Sequence, residues 1–353
     1  MIKRKKTRRI YVGDVSIGDG APIRVQSMTK TDTKDIRATV RQIRQLELVG
    51  CEIVRVAVPD MEAAKALGEI KKRVKIPIIA DIHYNYKLAL EAINQGVNGL
   101  RINPGNIGAK WKVKEVVLAA KDRGIPIRIG VNAGSLPKDL IEKYGEPTHE
   151  AMVEAAERHI EILEELDFHD IKVSLKASDV MKTVEAYRLF SNKYDYPLHV
   201  GITETGAMPE GVVKSSIGIG LLLLEGIGDT IRVSLTESPT VEVNVAYEIL
   251  RVTGVRPVGV EIISCPTCGR CEINIMKMVK QVKKLVKHIK EPIKIAIMGC
   301  SVNGPGEAKE ADFGIAGGKG QGVVFAKGEI IKTVREAELV NTLIEEIEKS
   351  RFL

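Results

Sequence analysis

Between residues 22 and 256 one unit recurs: a short run rich in valine and isoleucine, a polar loop, and a stretch with apolar residues three and four apart. Period-two runs alternating with period-3.6 stretches predict strands joined by helical crossovers, hence a parallel sheet covered by helices. The strand runs lie at 22–28, 52–58, 76–82, 99–104, 126–131, 171–176, 198–203 and 230–235, each flanked by glycine or proline. Helical spacing fills 36–49, 63–72, 86–94, 114–122, 151–165, 178–192 and 241–251. Eight such units in about 235 residues match the (β/α)8 TIM barrel in number and length. Residues 1–20 supply a basic tail and a short hairpin around Gly13 and Asp14, expected to cap the barrel floor.

After Pro257 the alternation stops. A cysteine-rich loop, a helix at 272–290, a strand at 293–298, a glycine-rich loop, strands near 313–316 and 322–326 and a helix at 335–349 describe a separate α+β module. The expected fold is therefore α/β, a TIM barrel at 1–256 followed by a smaller α+β domain at 257–353. The glycines at 314–322 lack the Ser or Thr of a phosphate loop and read as a hairpin connection.

The net charge of +7 sits mostly in Lys3, Arg4, Lys5, Lys6, Arg8 and Arg9. The remainder is nearly neutral and has no basic stripe interleaved with aromatics, so the tail reads as a solvated segment and nucleic acid is not an expected partner. No apolar core of a signal peptide follows it, and the longest apolar run, Leu221 to Leu224 with its Ile-Gly preface, is far too short to span a bilayer. A cytoplasmic protein with no membrane role is expected. In that reducing compartment five cysteines, four of them at Cys265, Cys268, Cys271 and Cys300, point to a metal or redox site and not to disulfides.

In a TIM barrel the loops after the strands' C-terminal ends build the active site. Those ends are charged here: Arg55, Asp81 with His83, Arg101 with Asn103, Arg128 with Asn132, Lys176, Glu204, and Arg232 with Ser234. Any one cation could sit in an ion pair. Five converging cations, with only Asp81 and Glu204 as nearby acids, instead suggest an anion, most simply a diphosphate, whose oxygens match guanidinium forks. His83 could equally be a hydrogen-bonded structural residue, and Glu204, between glycines in GITETG, is placed to stabilise a cationic centre or shuttle a proton.

Cys265, Cys268 and Cys271 stand in a C-x2-C-x2-C run, and Cys300 opens a loop ending at Glu307. A zinc ribbon wants two close pairs of ligands, and a C-x3-C-x2-C radical site needs wider spacing, so a four-iron four-sulfur cluster is the better reading. Cys265, Cys268 and Cys300 would be joined by either Cys271 or Glu307. Four thiolates would make an electron carrier, whereas a carboxylate would leave one iron with an exchangeable ligand, able to receive a substrate oxygen.

The motifs RVQSMT (24–29), ADIH (80–83), LRINPGN (100–106), GVNAGSL (130–136), GITETG (201–206), SCPTCGR (264–270) and GCSVNGPGE (299–307) resemble those of the bacterial 4-hydroxy-3-methylbut-2-enyl diphosphate synthase family. The resemblance runs through nearly the whole chain. It implies reductive ring opening of 2-C-methyl-D-erythritol 2,4-cyclodiphosphate in the non-mevalonate route to isoprenoids, with ferredoxin or flavodoxin as electron donor. It further implies Cys265, Cys268, Cys300 and Glu307 as ligands of the 4Fe–4S cluster, leaving Cys271 outside. Arg55, Arg101, Arg128, Lys176 and Ser234, beside Arg232, would grip the diphosphate, Asn103, Asn132 and His83 would lie near the carbon skeleton, and Glu204 would face the carbon that loses its phosphate oxygen. Rival readings are an iron-sulfur hydro-lyase without net redox and a non-catalytic electron carrier.

The last barrel helix, about 20 Å long, must end at the floor, and the linker beyond it reaches only about 14 Å. A module with a gyration radius of about 13 Å cannot easily return to its own mouth. A head-to-tail homodimer, each cysteine module capping the neighbouring barrel, is expected, as the resemblance also implies.

Overall fold

The structure is a computed structural model that describes residues 2–300 and 310–351. It divides into two compact units, 1–256 and 257–353.

The first unit opens with a hairpin of β1 (Ile10–Val12) and β2 (Val15–Ile17), paired antiparallel. Then come β3 (Arg24–Met28), α1 (Ile36–Leu48), β4 (Ile53–Ala57), α2 (Met61–Lys71), β5 (Ile78–Asp81), α3 (Tyr86–Asn94), β6 (Gly99–Ile102), α4 (Pro104–Ile107), α5 (Lys110–Asp122) and β7 (Ile127–Asn132). The series continues through α6 (Lys138–Tyr144), α7 (His149–Glu164), β8 (Ile171–Lys176), α8 (Val180–Lys193), β9 (His199–Val200), α9 (Glu210–Leu224), β10 (Thr230–Ile231) and α10 (Pro239–Val252). The sheet order is β8-β7-β6-β5-β4-β3-β10-β9, every pairing parallel, and a parallel bridge between Val173 and Leu198 closes β8 onto the start of β9. The eight strands thus form the expected ring.

Alternation along each strand splits the residues between two environments. One set, including Val54, Val56, Ile78, Ala80, Leu100, Ile102, Ile127, Ile129, Val173 and Leu175, packs under the helices as a single continuous core. The other set faces the lumen, where Ile53 and Ile79 at the N-terminal ends meet Ile10, Val12 and Ile17 of the hairpin. The hairpin thereby plugs the floor with apolar side chains.

Several elements depart from the sequence reading. Proline 104 starts α4 instead of ending a strand, since its fixed φ suits a first helical position and Asn103 caps it. Helix α9 was not anticipated: three glycines at 211, 218 and 220 lower its intrinsic propensity, and tertiary packing of its buried face overrides that cost.

The basic tail is only partly solvated: Lys3, Lys5, Lys6 and Arg9 are exposed, while Arg4 and Arg8 are drawn onto the barrel. Arg4 Nη2 pairs with Asp229 Oδ1 at 2.9 Å, and Asp229 is only 2% exposed. Thr7 Oγ1 and the Leu198 amide donate to the same carboxylate at 3.1 and 2.9 Å. Arg8 pairs with Asp195 and lies 4.2 Å over the Tyr196 ring. A buried carboxylate needs a counter-cation, and the tail brings one to the barrel.

In the second unit β11 (Val260–Ser264), β12 (Ile293–Met298), β13 (Phe313–Gly317), β14 (Gln321–Ala326) and β15 (Glu329–Arg335) form one sheet in that order, parallel at first and antiparallel from β13 onward. Helices α11 (Ile275–Leu285) and α12 (Leu339–Arg351) flank it, and the core joins Ile275, Met278, Val282, Ile295, Ile297, Ile315 and Leu343. The glycines before residue 322 turn the β13–β14 hairpin. Strands β11 and β15 were not foreseen, and α11 is shorter than expected. No helix among the described residues is long and apolar enough to cross a membrane.

Truncating Arg4 to alanine leaves Asp229 buried without its cation, and should cost about 2 kcal/mol of stability. In an Asp229→Asn background the same truncation should cost less than half as much, as measured by urea unfolding. Equal losses in both backgrounds would contradict the pairing.

Candidate active site

The lumen of the barrel is charged where most such barrels are filled with branched apolar residues. Strand register sets this row: Asp81 lies opposite Arg101, Arg101 opposite Arg128, and Arg128 opposite Lys172. Like charges on neighbouring strands repel. Three consecutive cations, all nearly inaccessible to water, make a local field that nothing apolar can relieve.

Asp81 is the acid at the centre of this field. It receives Arg55 Nε at 3.5 Å, Arg101 Nη1 at 3.3 Å and His83 Nε2 at 3.6 Å. Burial alone would raise its carboxyl, but Arg55, the His83 contact, Arg101 and Arg128 outweigh that and hold it well below the usual carboxylate range. On the cations burial acts in the same direction as their mutual repulsion. Arg55 is pushed down to about 10, mainly by burial, with Asp81 opposing and Arg232 and Arg101 adding. Lys176 is driven well below the lysine range by burial and by Arg232, Arg128, Arg55 and Arg101.

Donors are left over. Arg101 Nε, Arg128 Nε and Nη1, Arg232 Nε and Lys172 Nζ are buried without a hydrogen-bond partner, as is His199 Nε2. Buried polar groups are normally satisfied, and a charged donor left alone costs more than a neutral one. An anion with several oxygens would satisfy such a set together. Close packing aids the gathering: a Cβ at Gly130 would stand 2.4 Å from Arg101 Nε, and one at Gly201 would stand 2.7 Å from Lys176 Nζ. Only glycine admits both cations.

The other expected residues take varied places. Asn132 ends β7 opposite Lys176. Asn103 Oδ1 accepts the Gly105 amide at 3.1 Å, so part of its side chain is committed to capping α4. The Ser234 carbonyl accepts the Thr205 hydroxyl. Glu204 is exposed, with a left-handed backbone at φ 53°, and its carboxylate makes no hydrogen bond or ion pair among the described residues. A non-glycine residue held there is strained, a condition that clusters at functional positions.

Three buried charged or titratable residues escaped the sequence reading. Lys172 lies four residues before Lys176 and His199 two before Gly201, each in phase with it, so alternation could have revealed them. His199 Nδ1 meets Thr230 Oγ1 at 2.8 Å, and burial with Arg128, Lys176, Lys172 and Arg55 around it holds the ring far below its ordinary value. Glu242, buried in α10, pairs with Lys30 at 3.0 Å and approaches Arg232 at 3.9 Å. It carried no sequence signal, being a carboxylate in the first turn of a surface helix. The acids near the cations are thus Asp81, Glu242 and, beside Lys172, Asp229; Glu204 makes no ion pair with them among the described residues.

In the second unit β11 and β12 run parallel, with Ser264 opposite Ile297, so the loops after both strands leave the same end of the sheet. Cys265, Cys268 and Cys300 line one recess of about 150 Å³ there, with Thr267, Arg270 and Gly299. The Gly299 amide donates to Cys265 Sγ at 3.4 Å, and a Cβ on Gly299 would stand 2.6 Å from Cys271 Sγ. Cys271 does not line the recess; its thiol donates to the Ile273 carbonyl at 3.2 Å. Among the described residues no three histidine, cysteine or acidic side chains are gathered tightly enough to hold a metal ion. The three thiols on one wall are nonetheless the soft donor set that an iron-sulfur centre takes. Glu307, the expected fourth ligand, lies outside the described residues. Cys51 is buried under the barrel helices, its thiol pushed up to about 12 by desolvation.

The family described as the GcpE TIM-barrel domain matches residues 7–247, and that described as the GcpE protein C-terminal domain matches 261–349. The chain belongs to the GcpE family. Curated relatives carry the name 4-hydroxy-3-methylbut-2-en-1-yl diphosphate synthase (flavodoxin). That of Thermodesulfovibrio yellowstonii is 85% identical over 99% of this chain and 100% of its own length. Those of Geobacter sulfurreducens and Symbiobacterium thermophilum are 58% and 56% identical, over 98% and 99% of this chain and 98% and 94% of theirs. The two GcpE matches meet the two compact units, one holding the cations and the other the cysteines.

Lys172 yields a pH test. Burial and Arg128 push its ammonium down to about 7, with Asp229 opposing. A free lysine titrates near about 10.4, so between those values the unfolded chain binds more protons and stability rises with pH. The stabilising effect is complete above the unfolded value and is lost as pH falls through about 7. Lys172→Met removes this titration. Its stability relative to the parent should therefore decline, by a few kcal/mol, as urea unfolding is followed from about pH 7 to about pH 10. A constant difference across that window would rule out a buried, depressed Lys172.

Proposed function

We propose that this GcpE-family chain opens the ring of 2-C-methyl-D-erythritol 2,4-cyclodiphosphate and dehydrates it to 4-hydroxy-3-methylbut-2-enyl diphosphate, taking electrons from a flavodoxin, as the names of its relatives indicate. The observation that carries this reading is the in-register row Arg101, Arg128 and Lys172 with its orphan donors, a site built for a multiply charged anion.

Two electrons and two protons enter: the bond from the tertiary carbon to phosphate oxygen breaks, a double bond forms to the neighbouring carbon, the hydroxyl of that carbon leaves as water with one proton, and the second proton balances the freed phosphate oxygen. Arg55, Arg101, Arg128, Lys176 and Arg232 bind the diphosphate and stabilise the negative charge that grows on the departing phosphate oxygen. Preorganisation matters here, because buried cations need no reorganisation as that charge develops. Asp81 keeps Arg55 and Arg101 aimed inward and orients His83 at the mouth through its Nε2. Asn103, Asn132 and Ser234 border the carbon skeleton and phosphates. Glu204 stabilises positive character at the tertiary carbon, its exposed carboxylate presented by the strained turn. Cys265, Cys268, Cys300 and Glu307 would hold a four-iron four-sulfur cluster, which supplies electrons one at a time and a Lewis-acid iron with an exchangeable ligand.

Glu204→Gln keeps shape and loses charge. Turnover should fall by at least about 100-fold while the dissociation constant of the cyclic diphosphate, measured by calorimetry, stays within about threefold. Normal turnover in this variant would remove Glu204 from the mechanism.

The active form in this reading is a head-to-tail homodimer, because in a (β/α)8 barrel the helix after each strand returns the chain to the floor, away from the mouth. Glu204→Gln and Cys300→Ala chains, each inactive alone, should recover about a quarter of parental activity when dimers exchange. No recovery in verified mixed dimers would overturn the arrangement.

A further inference from the structure

Helix α11 and the turn after it carry Lys277, Lys280, Lys283, Lys284, Lys287 and Lys290, with no acid between residues 273 and 290. All six lysines are exposed, and among the described residues none is in an ion pair. Elsewhere exposed lysines do find partners, as in Lys121 with Asp167, Lys143 with Glu154 and Lys193 with Glu157.

Lys283 and Lys284 in the last turn suit the helix dipole, but the rest of the arrangement does not serve the helix. Lysines three and four apart repel one another, and Lys277 in the first turn opposes the helix dipole where an acid would favour it. The first turn contains no acid, and Glu336, which reaches the start of α11, accepts the Asn274 amide. A charge pattern that weakens its own element points to a use outside it.

The position narrows that use. Asn274 caps α11 and stands three residues after Cys271, so the first turns of the helix emerge directly from the cysteine loop. Asn274, Met276, Lys277, Lys280, Gln281 and Lys284 line one shallow groove, with Met276 72% exposed among the cations. An exposed apolar side chain beside a cluster of like charge suits a transient, electrostatically steered protein interface. A membrane surface is a poor match, because the apolar face, Ile275, Met278, Val282, Val286 and Ile289, is already buried in the core of this unit. Nucleic acid is also a poor match, since the segment has no aromatic residue on which a base could stack.

We propose that the lysine face of α11, centred on Lys280 and Lys284 with Met276 at its edge, is the docking surface for an acidic one-electron donor protein, the flavodoxin of the proposed reaction. The inference rests on the reading that the adjacent cysteine recess holds a redox centre. Charge steers the donor to the cysteine loop of this unit, and the sparse apolar contact lets it leave after each delivery.

The test uses the anaerobically prepared holoenzyme and its Lys280→Glu/Lys284→Glu variant. Flavodoxin binding is measured by calorimetry at about 50 and about 300 mM salt. The parent should weaken at least about tenfold with salt, and the variant should bind at least about tenfold more weakly at low salt. Lys65→Glu/Lys114→Glu, reversing two exposed charges on the barrel helices, should bind as the parent does. Turnover driven by a reduced viologen dye, which needs no docking surface, should be the same in all three proteins. Parental binding by the α11 variant, or equal weakening by the barrel variant, overturns the proposal. So does tight binding of a short DNA duplex by the parent that the α11 variant abolishes. If no reductant yields product from the cyclic diphosphate, the reaction assigned above fails, while the binding arm still decides the docking surface.

Discussion

Electrostatic repulsion inside a sealed barrel is the constraint on which the rest of this structure depends. Hydrogen-bond register fixes Arg101, Arg128 and Lys172 side by side, and the lumen denies them water. Such a row would tend to open the barrel. It is opposed from outside by the continuous apolar core beneath the helices, and from below by the hairpin plug on Ile53 and Ile79. Asp81 and Glu242 offset part of the charge, and Asp229, tied to Arg4, bears on Lys172 from the tail side. What they leave uncompensated is the capacity to take up an anion. Stability and function therefore draw on the same charges in opposite senses.

The cysteine unit solves a different problem. Its two leading strands are parallel, so the loops that follow them leave one end of the sheet, and cysteines 35 positions apart in the chain line one recess. Cys271, although within the same C-x2-C-x2-C run, turns to the Ile273 carbonyl instead. Spacing alone treats the three cysteines of the run as equivalent. The backbone path distinguishes them.

Much of the barrel was legible because alternation encodes burial directly. All eight strands appear where valine and isoleucine recur between glycine and proline, and the inward phase of Arg55, Arg101, Arg128 and Lys176 follows from the same period. The omissions have physical causes. Helix α9 is rich in glycine, and packing overrode propensity. The tail looked solvated because its partner Asp229 is more than 200 residues away. Glu242 sits in the first turn of a helix, where an acid usually serves only the dipole. Strand β15 is largely exposed along its length and lacks the apolar alternation that marks a half-buried strand.

The sequence by itself determined the strand and helix periods, the two-part organisation and the residue types available for binding an anion and a soft metal. These follow from local rules, since side-chain period and turn chemistry depend on near neighbours. Only the tertiary structure decided which cations share a wall, which acids offset them, which donors stay unpartnered and which cysteines line the recess. Those outcomes depend on strand register and loop direction, which bring together residues that no local pattern relates.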